Sequence, residues 1–522
     1  MIEVKSYLMG AWVSGERKTE LVDPSTEEVI GSISADKPSL LPVLEHARSV
    51  GGPALRALTF AQRGAILKAI SKALHTQRDA LIEVSIRSGG TTRSDAKFDI
   101  DGASGTLAYY AALGAKLGET RMLTEPSEQL GQDSRFFGQH VWLSREGVAV
   151  HVNAFNFPAW GLAEKLSVAI LAGVPVITKP ATSTSILAFE VARAIVAAEV
   201  LPQGAFHFVA GSLGDLVEQL GPQDVLAFTG SADTGAKLRG ARSVVARSTR
   251  VNIEADSLNS AVLAPGVAPG DDVYRIFLRD VAKEMTQKTG QKCTATRRIF
   301  VPRELADRVQ EDLAEELSRV KIGHPGHDEV RMGPLATRQQ LADFRAGVEK
   351  LVASGARIVA GSATDVAPIG VAAGKGFFVA PVLLRADAPG QADAVHAHEV
   401  FGPCATLCPY DTHEEAVALV ARGEGGLVST VYGDDRELLR ALVLGISPHH
   451  GRVLVVSAKV ADKTISPGLV LPSCVHGGPG RAGGGEELGG ERGLRFYMQR
   501  TAVQGDRALL DKLFEAPKPS AG

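Results

Sequence analysis

Cysteine is scarce in this chain: Cys293, Cys404, Cys408 and Cys474 are the four among 522 residues, and they stand at irregular intervals. That spacing resembles neither a disulfide framework nor a paired zinc ribbon, and it fits a reducing compartment. Long hydrophobic runs are also missing, so no stretch reaches the length that crosses a bilayer as a helix. The N-terminus Met1-Ile2-Glu3-Val4-Lys5 lacks the basic segment, apolar core and small-residue cleavage site of a secretory leader. Neither charge is in surplus, since 56 Lys and Arg face 59 Asp and Glu, a formal −3. A summed field that small attracts neither nucleic acid nor an anionic membrane. The expectation is a cytoplasmic protein with small-molecule partners and no nucleic-acid or membrane partner.

What is present is ordinary globular material, 45% apolar and 22% charged, in a chain longer than one core normally serves. Two or three structural units are expected. Helical spacing from about residue 59 to 88 predicts a long helical layer. Strand and helix patterns then alternate: strands at 148–152, 174–178, 205–209 and 225–229, with helices at 158–172, 186–198 and 214–220. Such alternation predicts a parallel, doubly wound nucleotide-binding domain with right-handed crossovers. From Asn259 onward a second α/β series is predicted, with helices near 273–288, 304–320 and 338–353 and strands near 298–301 and 377–379. Residues 477–493 hold nine glycines and read as irregular, and the aromatic content of 494–498 predicts a strand.

Several short segments carry chemistry. Gly290-Gln291-Lys292-Cys293-Thr294-Ala295 sets a cysteine in a glycine-flanked turn, exposed to a cleft, with Lys292 beside it to favour the thiolate. A single buried cysteine is otherwise more often inert core. Val251-Asn252-Ile253-Glu254-Ala255 ends an apolar strand on a carboxylate; desolvation there raises its pKa toward the working pH and suits a general base, the alternative being a surface salt bridge. In Asn153-Ala154-Phe155-Asn156-Phe157-Pro158 the Asn156 amide stands just before a helix, as an oxyanion donor or simply a cap. Phe228-Thr229-Gly230-Ser231-Ala232-Asp233-Thr234-Gly235 places Gly230 and Gly235 between a strand and a helix, where backbone amides approach a pyrophosphate. Lys179-Pro180-Ala181-Thr182 follows the second strand, where a ribose hydroxyl or an adenosine phosphate would be met. His396-Ala397-His398 has no further ligand cluster, so no metal is expected. Cys404 and Cys408 read as small strand residues, and His449-His450 as part of a solvated turn.

Taken in order along the chain, Phe155-Asn156-Phe157-Pro158, Lys179-Pro180, Phe228-Thr229-Gly230-Ser231, Glu254, Gly290-Gln291-Lys292-Cys293 and Glu399-Val400-Phe401-Gly402-Pro403 resemble the aldehyde dehydrogenase superfamily. The resemblance implies an α/β protein: a Rossmann-like doubly wound cofactor domain (1–120 and 146–256), an α/β catalytic domain (257–472) and a small β oligomerisation arm (121–145 and 473–510), assembled as a homodimer. It implies Cys293 as nucleophile, Glu254 as general base, and Asn156 with the Cys293 amide as the oxyanion hole. Lys179 then meets the ribose, Gly230 and Ser231 the pyrophosphate, and Glu399 and Phe401 the nicotinamide end, with Phe155, Thr182 and Gly235 among the cofactor contacts.

Two departures refine this reading. NAD-preferring members often carry a glutamate where Thr182 stands; without that carboxylate a 2′-phosphate is not repelled, so NADP is expected to be preferred, with NAD possible. The run Glu254-Ala255-Asp256-Ser257-Leu258-Asn259 and the glycine-rich segment resemble a narrower branch acting on CoA-linked semialdehydes in aerobic aromatic (benzoate) degradation. On that resemblance the glycines admit a pantetheine arm or form a flexible surface loop, and Arg481 and Arg492 are candidate partners of CoA phosphates. A general aliphatic aldehyde dehydrogenase and a CoA-acylating enzyme are the alternatives, Glu254 counting against the second.

Overall fold

The computed structural model describes residues 1–460 and 463–514. A first seven-stranded sheet runs Arg250–Glu254, Val225–Thr229, Ala149–Val152, Val176–Lys179, Phe206–Phe208, Ser6–Leu8, Ala11–Val13. The first five are parallel and the last two antiparallel. Its strands are short apolar runs because both faces are covered, as parallel sheets require. Helices Trp160–Ala172 and Ser185–Ala197 lie almost wholly buried, and Phe60–Thr76 and Arg93–Leu117 pack over them in the same core.

The expected single helical stretch at 59–88 is two helices, Phe60–Thr76, entered through a Thr59/Gln62 capping box, and Arg78–Gly89, with the break at Gln77. The longest helix, Arg93–Leu117, was hidden in the sequence because charged residues stand on its buried side. Asp99 is fully buried, and its carboxylate accepts from the Trp160 amide at 2.8 Å, capping the start of the next helix.

A second seven-stranded sheet has the order Arg357–Ala360, Val382–Arg385, Cys404–Tyr410, Arg298–Pro302, Ser260–Leu263, Gly426–Tyr432, His450–Val456, parallel except at its first pair. Cys404 and Cys408 are buried strand residues here. The strand expected at 377–379 is not formed: the Phe377 amide donates to Pro24 and its carbonyl accepts from Leu335, so its hydrogen bonds go to loops, and the strand begins at Val382, after Pro381. His450 is not in a solvated turn but opens a strand and is buried.

The arm sheet pairs Met498–Asp506 with Phe136–Ser144, which also pairs with Leu123–Thr124 and Glu128–Gln129. Residues 491–496 form a helix, correcting the strand expected at 494–498; Arg250 donates to the Phe496 and Met498 carbonyls at its end. The glycine-rich segment is also corrected. It is not an irregular surface loop: Val475–Gly477 and Glu486–Leu488 pair antiparallel, and the segment packs on the strand Arg250–Glu254. A Cβ on Gly483 (φ +101°) would lie 2.3 Å from the Ile253 carbonyl oxygen, and one on Gly477 (φ +147°) 2.1 Å from that of Gly485. The glycines permit close backbone contact, not mobility. Among the described residues no helix is long and apolar enough to cross a membrane.

Candidate active site

In the first sheet the chain fills one side from Ala149–Val152 outward and then returns with Val225–Thr229 on the other, so strand order reverses between these neighbours. The crevice beyond the carboxyl ends of such a pair is where doubly wound sheets bind nucleotides. Here that crevice is a cleft of about 1130 Å³ walled by Phe155, Asn156, Lys179, Gly230, Ser231, Glu254, Cys293, Glu399 and Phe401. Residues up to 246 positions apart in sequence thus meet as expected. Two do not reach the wall. Thr182 opens an exposed turn, and Gly235 is buried in the helix Ala232–Arg239, where a Cβ would lie 2.8 Å from the Ile253 side chain. Gly235 therefore serves helix-to-strand packing.

The cleft fits a dinucleotide. Ser231 caps the helix Ala232–Arg239 at its cleft end, and a Cβ on Gly230 would come within 2.5 Å of the Phe228 ring, so backbone lies bare where a pyrophosphate approaches. Burial lowers the Lys179 ammonium pKa. Glu399 accepts from the Ser257 amide at 3.0 Å and pairs with Arg297 at 3.2 Å; burial outweighs that cation and pushes its carboxyl up to about 7. Arg297 also lies over the Phe401 ring, which meets Phe155 edge-on at 5.7 Å. Sequence reasoning missed Arg297, which holds both members of the Glu399-Val400-Phe401 motif.

The cysteine turn is built from three consecutive left-handed residues, Lys288, Thr289 and Gly290, with φ of +53°, +56° and +64°. Asn259 fixes the residues beyond it: its side-chain amide donates to the Cys293 carbonyl at 2.8 Å and to that of Ala295 at 2.9 Å. Lys292 does not assist the sulfur. Its ammonium is buried against Glu284 at 2.6 Å and Gln287 at 2.9 Å, so its charge is already matched.

The group that does meet the sulfur is His476, to which the sequence reading gave no role. Carried by the strand Val475–Gly477, its Nε2 lies 3.8 Å from Cys293 Sγ and 3.2 Å from Glu254 Oε2. The Glu254 contact is an ion-pair distance, and neither carboxylate oxygen has a well-aligned donor. Burial alone would raise Glu254, as expected from its strand, but the charge of His476 reverses the sign and holds it at about 2. Burial would lower His476, yet Glu254 raises it well above the usual imidazole value. Burial raises the Cys293 thiol, reinforced by Glu254, with the His476 contact pulling the other way. The only signal in sequence was a histidine at the head of a run of glycines.

Behind Glu254 stands a second buried group. Lys165 Nζ donates to Thr229 Oγ1 at 2.7 Å, to Glu487 at 3.1 Å and to Glu164 at 3.4 Å. Burial pushes the Glu164 carboxyl up to about 8. No local pattern announces this set, since Lys165 and Glu487 are 322 residues apart. His396, by contrast, has a structural role: its two ring nitrogens face Arg298 at 3.1 Å and the Pro389 carbonyl at 3.0 Å.

Cys293, Glu254 and Asn156 also line a second cavity of about 440 Å³, walled by Phe157, Trp160 and Val470. Trp160 and Val470 are shared with a wider vestibule of about 1130 Å³ that reaches Lys97 and Lys283. A half-buried cysteine thus stands between a cleft at the switch point of the sheet and an apolar pocket, an arrangement suited to a thiol-dependent dehydrogenase. The chain belongs to the aldehyde dehydrogenase family, whose model matches residues 12–503, and is an NAD(P)-dependent aldehyde oxidoreductase. It is 43% identical over 480 residues to 3,4-dehydroadipyl-CoA semialdehyde dehydrogenase of Aromatoleum evansii, covering 92% of this chain and 93% of that one. In fold it is similar to lactaldehyde dehydrogenase from Escherichia coli (TM-score 0.82, 22% identity, 96% and 99% of the two chains). It is likewise similar to betaine aldehyde dehydrogenase from Staphylococcus aureus in complex with NAD+ (TM-score 0.82, 20% identity, 96% and 95%).

Proposed function

We propose that this chain oxidises a CoA-linked semialdehyde to the free acid, using NADP in preference to NAD. The observation that carries the reading is the placement of Cys293, Glu254 and Asn156 on the wall shared by the cofactor cleft and the substrate cavity. A bound nicotinamide dinucleotide supplies the hydride acceptor. Cys293 attacks the aldehyde carbon, and the Asn156 side-chain amide and the Cys293 backbone N–H donate to the resulting oxyanion. Loss of hydride from that carbon leaves a thioester on Cys293. Glu254 then takes a proton from the water that releases the acid.

The CoA linkage is supported by the 43% identical relative and by the shape of the approach, an apolar pocket continuing into a vestibule rimmed by Lys97 and Lys283. These lysines replace Arg481 and Arg492 as our candidate partners for CoA phosphates. Arg481 donates to the Ala397 carbonyl, and Arg492 is paired with Glu486. NADP preference rests on the absence of a carboxylate at Thr182, which lies off the cleft wall but directly follows the wall residue Ala181. Among the described residues the outer edge of Met498–Asp506 is unpaired, which supports a homodimer built through the arm. We assign the cofactor domain to 1–120 and 146–256 and the catalytic domain to 257–472; the arm proper starts at Met498, since 475–496 pack at the active site.

Mass spectrometry of the product of 3,4-dehydroadipyl-CoA semialdehyde, with and without free CoA, tests the reading. The free acid in both cases is expected. An acyl-CoA formed only with added CoA overturns the hydrolytic outcome, and turnover of simple aliphatic aldehydes alone overturns the substrate.

A further inference from the structure

We propose that His476 is a catalytic residue: its Nε2 stands as an imidazolium between Cys293 Sγ and the Glu254 carboxylate and holds Cys293 as the thiolate. The inference rests on the reading of Cys293 as nucleophile. His476 Nε2 lies 3.8 Å from the sulfur, and a Glu254 carboxylate oxygen stands within 4.8 Å of both. The Glu254 carboxylate is already paired with His476, and its negative charge opposes a second anion beside it. An imidazolium wedged 3.2 Å from that carboxylate and 3.8 Å from the sulfur stabilises the thiolate and screens one anion from the other. Cysteine nucleophiles are activated in this way by an adjacent histidine, and contacts of this kind are often long before substrate binds.

The steps balance. Cys293 S–H gives its proton to solvent, leaving the thiolate paired with the His476 imidazolium, and the thiolate electron pair forms the C–S bond with the aldehyde carbon. Hydride then leaves for the cofactor, and the attacking water gives its proton to Glu254, which releases it to solvent. Collapse of the tetrahedral species breaks the C–S bond and returns the thiolate to its imidazolium partner. Glu254 thus remains free for water while His476 serves the sulfur, which separates two roles that a lone carboxylate would have to share. It also accounts for the glycine-rich hairpin: close backbone contact with the strand Arg250–Glu254 is what brings the histidine onto the sulfur.

The groups that face His476 and could shape a pH profile are Glu254 on its strand, Cys293 on its turn, Glu164 and Lys165 on the helix Trp160–Ala172, and Glu487, which pairs with His476 across the hairpin. The test is alkylation of Cys293 by iodoacetamide from pH 5 to 10, followed by mass spectrometry of the Cys293 peptide in the full-length protein and in His476→Gln. The wild type is expected to react at a near-constant rate from about pH 6 upward. The variant is expected to lose at least tenfold at pH 6 and then gain about tenfold per pH unit, with the first-turnover burst of reduced cofactor falling in step. Superimposable profiles overturn the proposal. So does a wild-type profile with a single rise centred above pH 9, which decides the matter even if the variant does not fold. Cys293→Ala separates the two claims: if it keeps turnover the nucleophile reading fails, whereas an inactive Cys293→Ala with unchanged His476→Gln alkylation removes His476 alone.

Discussion

Asn259→Asp changes two atoms' chemistry and almost no volume, so it isolates the device that holds the nucleophile. Asn259 is 1% exposed and its side chain makes five hydrogen bonds: two donated, to the Cys293 and Ala295 carbonyls, and three accepted, from Ser257 Oγ and the Leu427 and Val428 amides. Aspartate keeps the accepting oxygen and turns its second oxygen toward two carbonyls that have lost their donor. Each orphaned buried acceptor costs about 1–3 kcal/mol, so the site loses about 2–6 kcal/mol, relieved only by protonating the new carboxyl or by moving the turn. Movement of the turn displaces Sγ, and a displacement of about 1 Å costs on the order of 100-fold in rate. The assay is a stopped-flow measurement of the first-turnover burst at saturating cofactor, together with the urea midpoint and the cofactor Kd. The burst rate is expected to fall on the order of 100-fold and the urea midpoint to drop, with Kd within about twofold because Asn259 is not on the cleft wall. An unchanged burst and midpoint would show that the turn is held by other contacts.

Glu399 is held at about 7, above the 4.5 of an unperturbed carboxyl, so the folded protein binds more protons than the unfolded chain between those values and stability falls as pH rises through that window. Glu399→Gln removes about 3 kcal/mol of that fall, read as a melting temperature that declines less between pH 4.5 and 7.5 than in the wild type. Lys165→Met strands the carboxylates of Glu164 and Glu487 where the lysine side chain is 1% exposed, and breaking a buried pair costs about 3–5 kcal/mol. A lower urea midpoint is expected, partly restored by adding Glu487→Gln; no loss in the single variant refutes the pairing. Thr182→Glu is expected to shift the ratio of kcat/KM for NADP over NAD toward NAD by at least about tenfold, a like-charge penalty of about 1.4 kcal/mol, and an unmoved ratio removes Thr182 from cofactor choice.

Legibility in the sequence followed the range of the forces involved. Strand and helix alternation from 148 to 229 was readable because each element answers to its own apolar run, and the motifs at Asn156, Gly230 and Cys293 were readable because each is a local turn with its own backbone demands. Arg93–Leu117 escaped because Asp95 and Asp99 interrupt its apolar face, and they do so to serve groups elsewhere: Asp99 caps a helix some 60 residues on. The sign of the Glu254 shift escaped for the same reason. Its strand foretells burial, and burial foretells a raised carboxyl; the cation that reverses the outcome arrives from His476, on a hairpin built for close contact.

The site's charges explain why that hairpin belongs to the catalytic machinery and not to the arm. Glu164, Glu254 and Glu487 have carboxyl oxygens within 4.8 Å of one another, and although burial favours the protonated form of Glu164, a thiolate at Cys293 would add a further anion to the same buried space. Lys165 answers Glu487 and Glu164 through direct contacts, which leaves Glu254 and the sulfur to His476. Both His476 and Glu487 ride on the two paired strands of the hairpin, in register with each other. Docking that one element therefore brings in a carboxylate for the lysine and a cation for the nucleophile together. A displaced hairpin would leave Lys165 with one partner fewer and Glu254 without its cation, so the nucleophile's reactivity and the docking of this segment are one coupled equilibrium.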